Sequence, residues 1–235
     1  MKRRLVVGLD SLCSMRATAA GRAPSLLQAA TLLEVSGVSA VQLGLGEELQ
    51  PVTEADLRAV SGATALELRI SPAPALVKVA LEMRPARVVL ASESRESPVL
   101  ASPLDFRAWG AALAPAVRNL RDAGLRVEAL VAPVLDAVKA AHNADLQGVD
   151  LYTSATLDLP PESRAEALTT LGDAARLGSK LRLSVGVAGA LGSREVPQVL
   201  EAAPVVERVT IGRSFLNRAL LIGIERATAD LRSAI

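Results

Sequence analysis

The feature that most constrains this chain is an alternation repeated eight times: a short run rich in Val, Ile and Leu, then a longer segment with apolar residues at helical spacing. The strand-like runs are Leu5–Asp10, Ala40–Leu45, Ala65–Ile70, Arg87–Ala91, Arg126–Val131, Val149–Thr153, Leu181–Val187 and Val206–Ile211. The helical segments lie near Ser25–Val35, Thr53–Ser61, Pro74–Met83, Phe106–Ala123, Val134–Asn143, Glu162–Leu177, Ser193–Ala202 and Phe215–Arg232. Such alternation implies parallel strands joined by right-handed crossovers. Eight units in 235 residues predict an α/β fold, a closed (β/α)8 TIM barrel, as one domain over residues 1–235. An open doubly wound sheet fits eight units less well. Local signals agree. Pro74, Pro133 and Pro161 stand where helices begin, and Gly37, Gly124 and Gly178 where they end. Aromatic residues make up only 2% of the chain, so the core must be built from Ala, Val, Leu and Ile.

A barrel of this kind carries its site at the C-terminal ends of the strands. That rule selects Asp10, Ser11, Cys13 and Arg16 after the first strand, and Gly44, Gly46 and Glu47 after the second. Glu67 and Arg69 share one face of the third strand, either as a compensating ion pair or as ligand groups. Glu93 and Arg95 follow the fourth strand, and Asp150 and Tyr152 share a face of the sixth. Between them, Ser92–Asp105 is the longest loop, a lid or an oligomer contact. Gly186 and Gly189 on the seventh strand and Gly212-Arg213-Ser214 after the eighth read as a two-loop phosphate cradle, or as plain turn glycines. Glycine lets backbone approach an anion, and free N–H groups at a helix start attract one. Ser214 is placed to cap the last helix. Cys13 reads as a small buried hydrophobe, since no histidine stands near it to make a thiolate.

The single histidine, His142, sits near the C-terminal end of a helix, on the face opposite the expected site. Proton transfer would therefore fall to Glu67, Asp10, Asp150, Glu93 or Cys13. A formal net charge of +1 with no basic tract argues against nucleic acid as a partner. One cysteine excludes an intrachain disulfide and a cysteine-cluster metal site, and fits a reducing cytoplasm. No apolar run reaches about 18 residues, so no membrane span is expected. Neither a metal nor a cofactor is expected.

Several stretches are familiar. Val7-Gly8-Leu9-Asp10-Ser11-Leu12-Cys13-Ser14-Met15-Arg16, Pro24-Ser25-Leu26-Leu27-Gln28-Ala29-Ala30 and Pro51-Val52-Thr53-Glu54-Ala55-Asp56-Leu57-Arg58 occur in the order and spacing of one family. So does Ile211-Gly212-Arg213-Ser214-Phe215-Leu216-Asn217-Arg218-Ala219. From first strand to last helix the chain resembles pyridoxine 5′-phosphate synthase. The resemblance implies a metal-free condensation of 3-amino-2-oxopropyl phosphate with 1-deoxy-D-xylulose 5-phosphate, run by histidines and glutamates, in a homo-oligomer.

Carried over position by position, Asp10 and Arg16 are kept. The family's histidines fall on Ser11, Gly44, Pro51, Tyr152, Val187 or Ala188, and Arg213. Its strand-three glutamate falls on Arg69, or on Glu67 with a two-residue shift, and its strand-six glutamate on Asp150. What is retained is the set of glycine turns.

The reading is a divergent family member, inactive in the family reaction, that binds a phosphorylated small molecule through Arg16, Arg69, Gly186, Gly189, Gly212, Arg213 and Ser214, or acts as a homo-oligomeric scaffold or regulator of a protein partner. The alternative is an active synthase, or a related phosphosugar enzyme, using Glu67, Asp10 and Asp150. The chain also reads as short for the family, with part of the helical decoration missing.

Overall fold

The computed structural model describes residues 3–18, 24–46, 52–93 and 101–235. Eight parallel strands close into a barrel: β1 Arg4–Gly8, β2 Ala40–Gly44, β3 Leu66–Ile70, β4 Arg87–Leu90, β5 Val127–Val131, β6 Gly148–Tyr152, β7 Ser184–Ala188 and β8 Arg208–Ile211. They pair in chain order, and β1 meets β8 with Val6 opposite Thr210 to close the ring. Around them run α1 Asp10–Thr18, α2 Leu26–Val35, α3 Glu54–Ser61, α4 Pro74–Met83, α5 Gly110–Asp122 and α6 Leu135–Asn143. The ring of helices continues with α7 Ser154–Leu157, α8 Pro161–Lys180, α9 Val196–Ala202, α10 Arg213–Ile222 and α11 Ile224–Ala234.

Strand parity divides the residues. Leu5, Val7, Leu43, Leu68, Val149, Val209 and Ile211 face the helices and join one continuous core of Val, Leu, Ile and Ala. Their neighbours on each strand face the lumen.

The structure adds two helices to the eight expected, α1, which takes in Asp10, and the short α7. Three further details differ from expectation. The last helix is two helices, because Gly223 adopts a left-handed φ of 84° and ends α10. Ser214 is not its cap: α10 begins at Arg213 with Gly212 as N-cap and no side-chain cap bond. The long loop holds a small antiparallel ribbon, Ser92–Glu93 with Ala101–Ser102. Its residues 94–100, and with them Arg95, lie outside the described residues, as do Glu47 and Pro51.

Candidate functional site: a pocket above a buried charge layer

A TIM-barrel lumen is usually packed with branched apolar side chains. Here its lower half is ionic. Arg87 and Arg208, both 1% exposed, lie among Glu67, Glu128 and Asp150, each fully buried. Arg87 donates to Glu67 at 2.5 Å, to Glu128 at 2.7 Å and to Asp150 at 3.0 Å. Arg208 donates to Asp150 at 2.8 and 3.2 Å, and also to Glu128. From the lower rim Arg126 bonds Glu128 at 2.6 Å, and Arg4 stands 3.7 Å from Glu67. Stranding one such charge is expensive, so the set is intelligible only as a unit.

The charges fit because glycines leave room. A methyl group on Gly186 would overlap Asp150 Oδ1 and fall 2.9 Å from an Arg208 nitrogen. One on Gly148 would meet the Glu128 carboxyl carbon at 2.7 Å.

Above this layer, at the C-terminal ends of the strands, opens a pocket of about 420 Å³. Its floor is Asp150. One wall is polar, with Asp10, Gln42 and Arg69; the other is apolar, with Val89, Leu130 and Ala188 beside Tyr152. Asp10, the first residue of α1, accepts from the Gly44 N–H at 2.5 Å and lies 3.5 Å from Arg69. Arg69 is held loosely, at 3.5 Å from both Asp10 and the Gln42 side-chain oxygen. Its guanidinium occupies the space a side chain on Gly44 would need.

The rim is two loops, Gly189–Gly192 after β7 and Gly212–Ser214 after β8. Two serines join them to their surroundings. Ser154 accepts from the Ala190 N–H at 2.9 Å, and the Ser214 hydroxyl donates to the Leu191 carbonyl. Gly189 has a φ of 136°, and a side chain there would press on Ser154 and Thr153. α10 starts on the same rim, with Arg213 and Ser214 in the pocket lining, and the N–H groups of a helix's first turn have no intrahelical partner.

The pocket therefore gathers Asp10, Arg69, Asp150, Gly189, Gly212, Arg213 and Ser214, as the sequence suggests. It does not gather the other three expected residues. Glu67 lies in the charge layer, because its position near the start of β3 puts it one inward step below Arg69; its partner is Arg87 rather than Arg69. Arg16 turns away to Asp56, with which it makes two bonds of 2.5 and 2.6 Å. Gly186 seats the Asp150–Arg208 pair and is no part of the rim.

Protonation follows from these contacts. Burial alone would raise the Asp150 carboxyl, but the Arg208 and Arg87 guanidiniums override it and hold it below the usual range. Asp150 is thus a fixed anion with both oxygens committed, not a proton donor. Burial likewise opposes ionisation of Asp56, yet Arg16 and Thr53 keep its carboxyl low. Burial, then the Asp10 and Asp56 carboxylates, push the Cys13 thiol up to about 12. Among the described residues no histidine or lysine lines the pocket. His142 is exposed on α6, and among the described residues no group of three His, Cys, Asp or Glu could hold a metal.

Sequence reading missed Arg87, Glu128, Arg208, Gln42 and Thr210. The signal was present: each is a polar residue in an apolar strand, in phase with the other inward positions.

The model of the family described as pyridoxal phosphate biosynthesis protein PdxJ matches residues 5–235. The pyridoxine 5′-phosphate synthase of Desulforapulum autotrophicum is 28% identical over 99% of this chain and 98% of its own length. That of Geobacter metallireducens is 29% identical over 97% of this chain and 96% of its own. The chain was expected to be short, but it spans nearly the full length of both these relatives. Among solved structures, the flavin-binding domain of baker's yeast flavocytochrome b2 superposes with a TM-score of 0.67 at 17% identity, over 99% of this chain and 63% of that one. At that identity the likeness is one of fold. Family model, full-length relatives and closed barrel agree, and the chain belongs to the PdxJ family of pyridoxal phosphate biosynthesis proteins.

Proposed function

We propose that this family member binds a phosphorylated small molecule in the barrel pocket and does not run the ring-closing condensation. The observation that carries this reading is the state of the inward-facing carboxylates. Asp150 is locked between two guanidiniums and Asp10 is bonded to a backbone N–H, while among the described residues neither histidine nor lysine lines the cavity. Multi-step imine and dehydration chemistry needs groups that gain and lose protons near neutral pH, and each such group is worth about 10²–10⁴ in rate. A Schiff base on the protein would need an amine, and the described lining holds none. Anion binding is supported by Arg213, which bonds no other described residue, and by the N-terminus of α10.

The test is a synthase assay at high protein concentration with both family substrates, alongside a calorimetric titration with inorganic phosphate. Phosphate binding without product supports the reading. Turnover abolished by Asp10→Asn refutes the inactive half, and no phosphate affinity refutes the binding half.

The synthase reading has its own support, in relatives of that name aligned over nearly the whole chain. It would have to use Asp10 with the rim carboxylates Asp158 and Glu195. The same assay separates the two.

A homo-oligomer, a protein partner and a cytoplasmic setting remain part of the proposal. No helix among the described residues is long and apolar enough to cross a membrane.

A further inference from the structure

The buried polar side chains that line the pocket are, with one exception, held by other protein groups. Asp10 is bonded to Gly44 and faces Arg69, and Gln42 stands 3.5 Å from both Arg69 and Glu67. Asp150 is held by both buried arginines. Thr210 is different. It is only 6% exposed, it lines the pocket, and its Oγ1 has no hydrogen-bond partner among the described residues. The other orphaned side-chain atoms lie elsewhere: Glu67 and Arg87 in the charge layer, Ser71, Arg164 and Thr228 outside the pocket lining.

The reason is geometric. Thr210 faces inward between Arg208, one step below, and the Gly212 turn, one step above. Its neighbours on the flanking strands are Val6 and Ala188, whose side chains can neither give nor take a hydrogen bond. A buried hydroxyl left in that state is unfavourable, and valine would have the same shape without the penalty.

We propose that Thr210 is a ligand-binding residue. Its hydroxyl bonds the first oxygen along the carbon chain of a phosphate ester whose phosphate sits between the Gly189–Gly192 and Gly212–Ser214 loops. This rests on the phosphate-binding reading above. Gly212 follows β8 directly, two residues beyond Thr210 and roughly 6.6 Å along the chain, so a carbon chain of two or three atoms bridges the levels. The hydroxyl then separates phosphate esters that carry an oxygen at that depth from those that do not.

The experiment is calorimetric titration of the whole chain and its Thr210→Val and Thr210→Ser variants with three probes: inorganic phosphate, ethyl phosphate and glycerol 3-phosphate. Wild type is expected to prefer glycerol 3-phosphate over ethyl phosphate. Thr210→Val should weaken glycerol 3-phosphate on the order of five-fold, the loss of one hydrogen bond. It should leave the other two probes unchanged, and Thr210→Ser should restore the preference. Unliganded Thr210→Val should melt no lower than wild type, because it discards an unmade bond. Unchanged glycerol 3-phosphate affinity in Thr210→Val, with inorganic phosphate still bound, overturns the role of Thr210 alone. No binding of inorganic phosphate by wild type overturns the phosphate-site reading and this inference with it.

Discussion

Gly186→Ala separates two accounts of one residue. In sequence it belongs to a phosphate cradle; in the folded barrel it makes room for the Asp150–Arg208 pair. The added methyl would overlap Asp150 Oδ1 and approach Arg208 nitrogens at 2.9 and 3.1 Å. Neither side chain can retreat, since Asp150 is pinned by Arg87 at 3.0 Å and Arg208 is 1% exposed. Overpacking costs about 1–3 kcal/mol, and separating a buried ion pair about 3–5 kcal/mol. The second dominates, so the expected loss is about 3–5 kcal/mol. In a domain of this size that lowers Tm by roughly 6–20 °C. Thermal and urea unfolding read it directly. In an Asp150→Ala background, already destabilised, the same substitution should cost about 2 kcal/mol less, because the obstructing carboxylate is gone. Phosphate affinity, measured well below the melting range, should stay close to wild type. Wild-type stability with lost phosphate binding would refute the argument, as would a double-mutant cycle additive to within about 0.5 kcal/mol.

Two further outcomes follow from the same contacts. Asp150 and Asp56 have carboxyls lowered in the fold, so each adds stability above its unfolded value of about 3.9 and loses it as pH falls through the lower folded value. Unfolding free energy should therefore stay level from pH 7 to about 5 and drop steeply below about 4, less steeply in Asp56→Asn; a flat profile to pH 3 would contradict the assignment. Ser214→Ala removes the bond that ties α10 to the Leu191 carbonyl, and should weaken inorganic phosphate several-fold by calorimetry while changing Tm by only a few degrees. Unchanged affinity would mean that the rim is held by other contacts.

Much of the candidate pocket's lining was legible before folding. Asp10, Arg69, Gly189, Gly212 and Arg213 line it, as expected of residues at strand ends, which are marked by glycine and by the first polar residue after an apolar run. Glu67 and Arg16 lie outside that lining for a reason of height and a reason of partner. Parity tells which face a residue takes but not how far along the lumen it lies, and Glu67 sits one step too low. Arg16 is close to Asp10 in sequence, but the carboxylate it meets is Asp56, forty residues away. Ser214 has the chemistry of a helix cap, yet Leu191 offers its hydroxyl a carbonyl from another loop.

By itself the sequence determined the barrel. Eight apolar runs alternating with amphipathic helices can bury their surfaces in few other ways, and that pattern is local enough to read residue by residue. Only the tertiary structure decided what fills the lumen. The bonds of the charge layer join residues 20 to 80 positions apart, such as Glu67 with Arg87 and Glu128 with Arg208. They exist because closing the ring brings every second residue of eight strands onto one axis, where a charge is tolerated only if another strand supplies its counterion. The same closure leaves Thr210 between Val6 and Ala188 with no partner for its hydroxyl among the described residues, a circumstance no reading of its own strand could reveal.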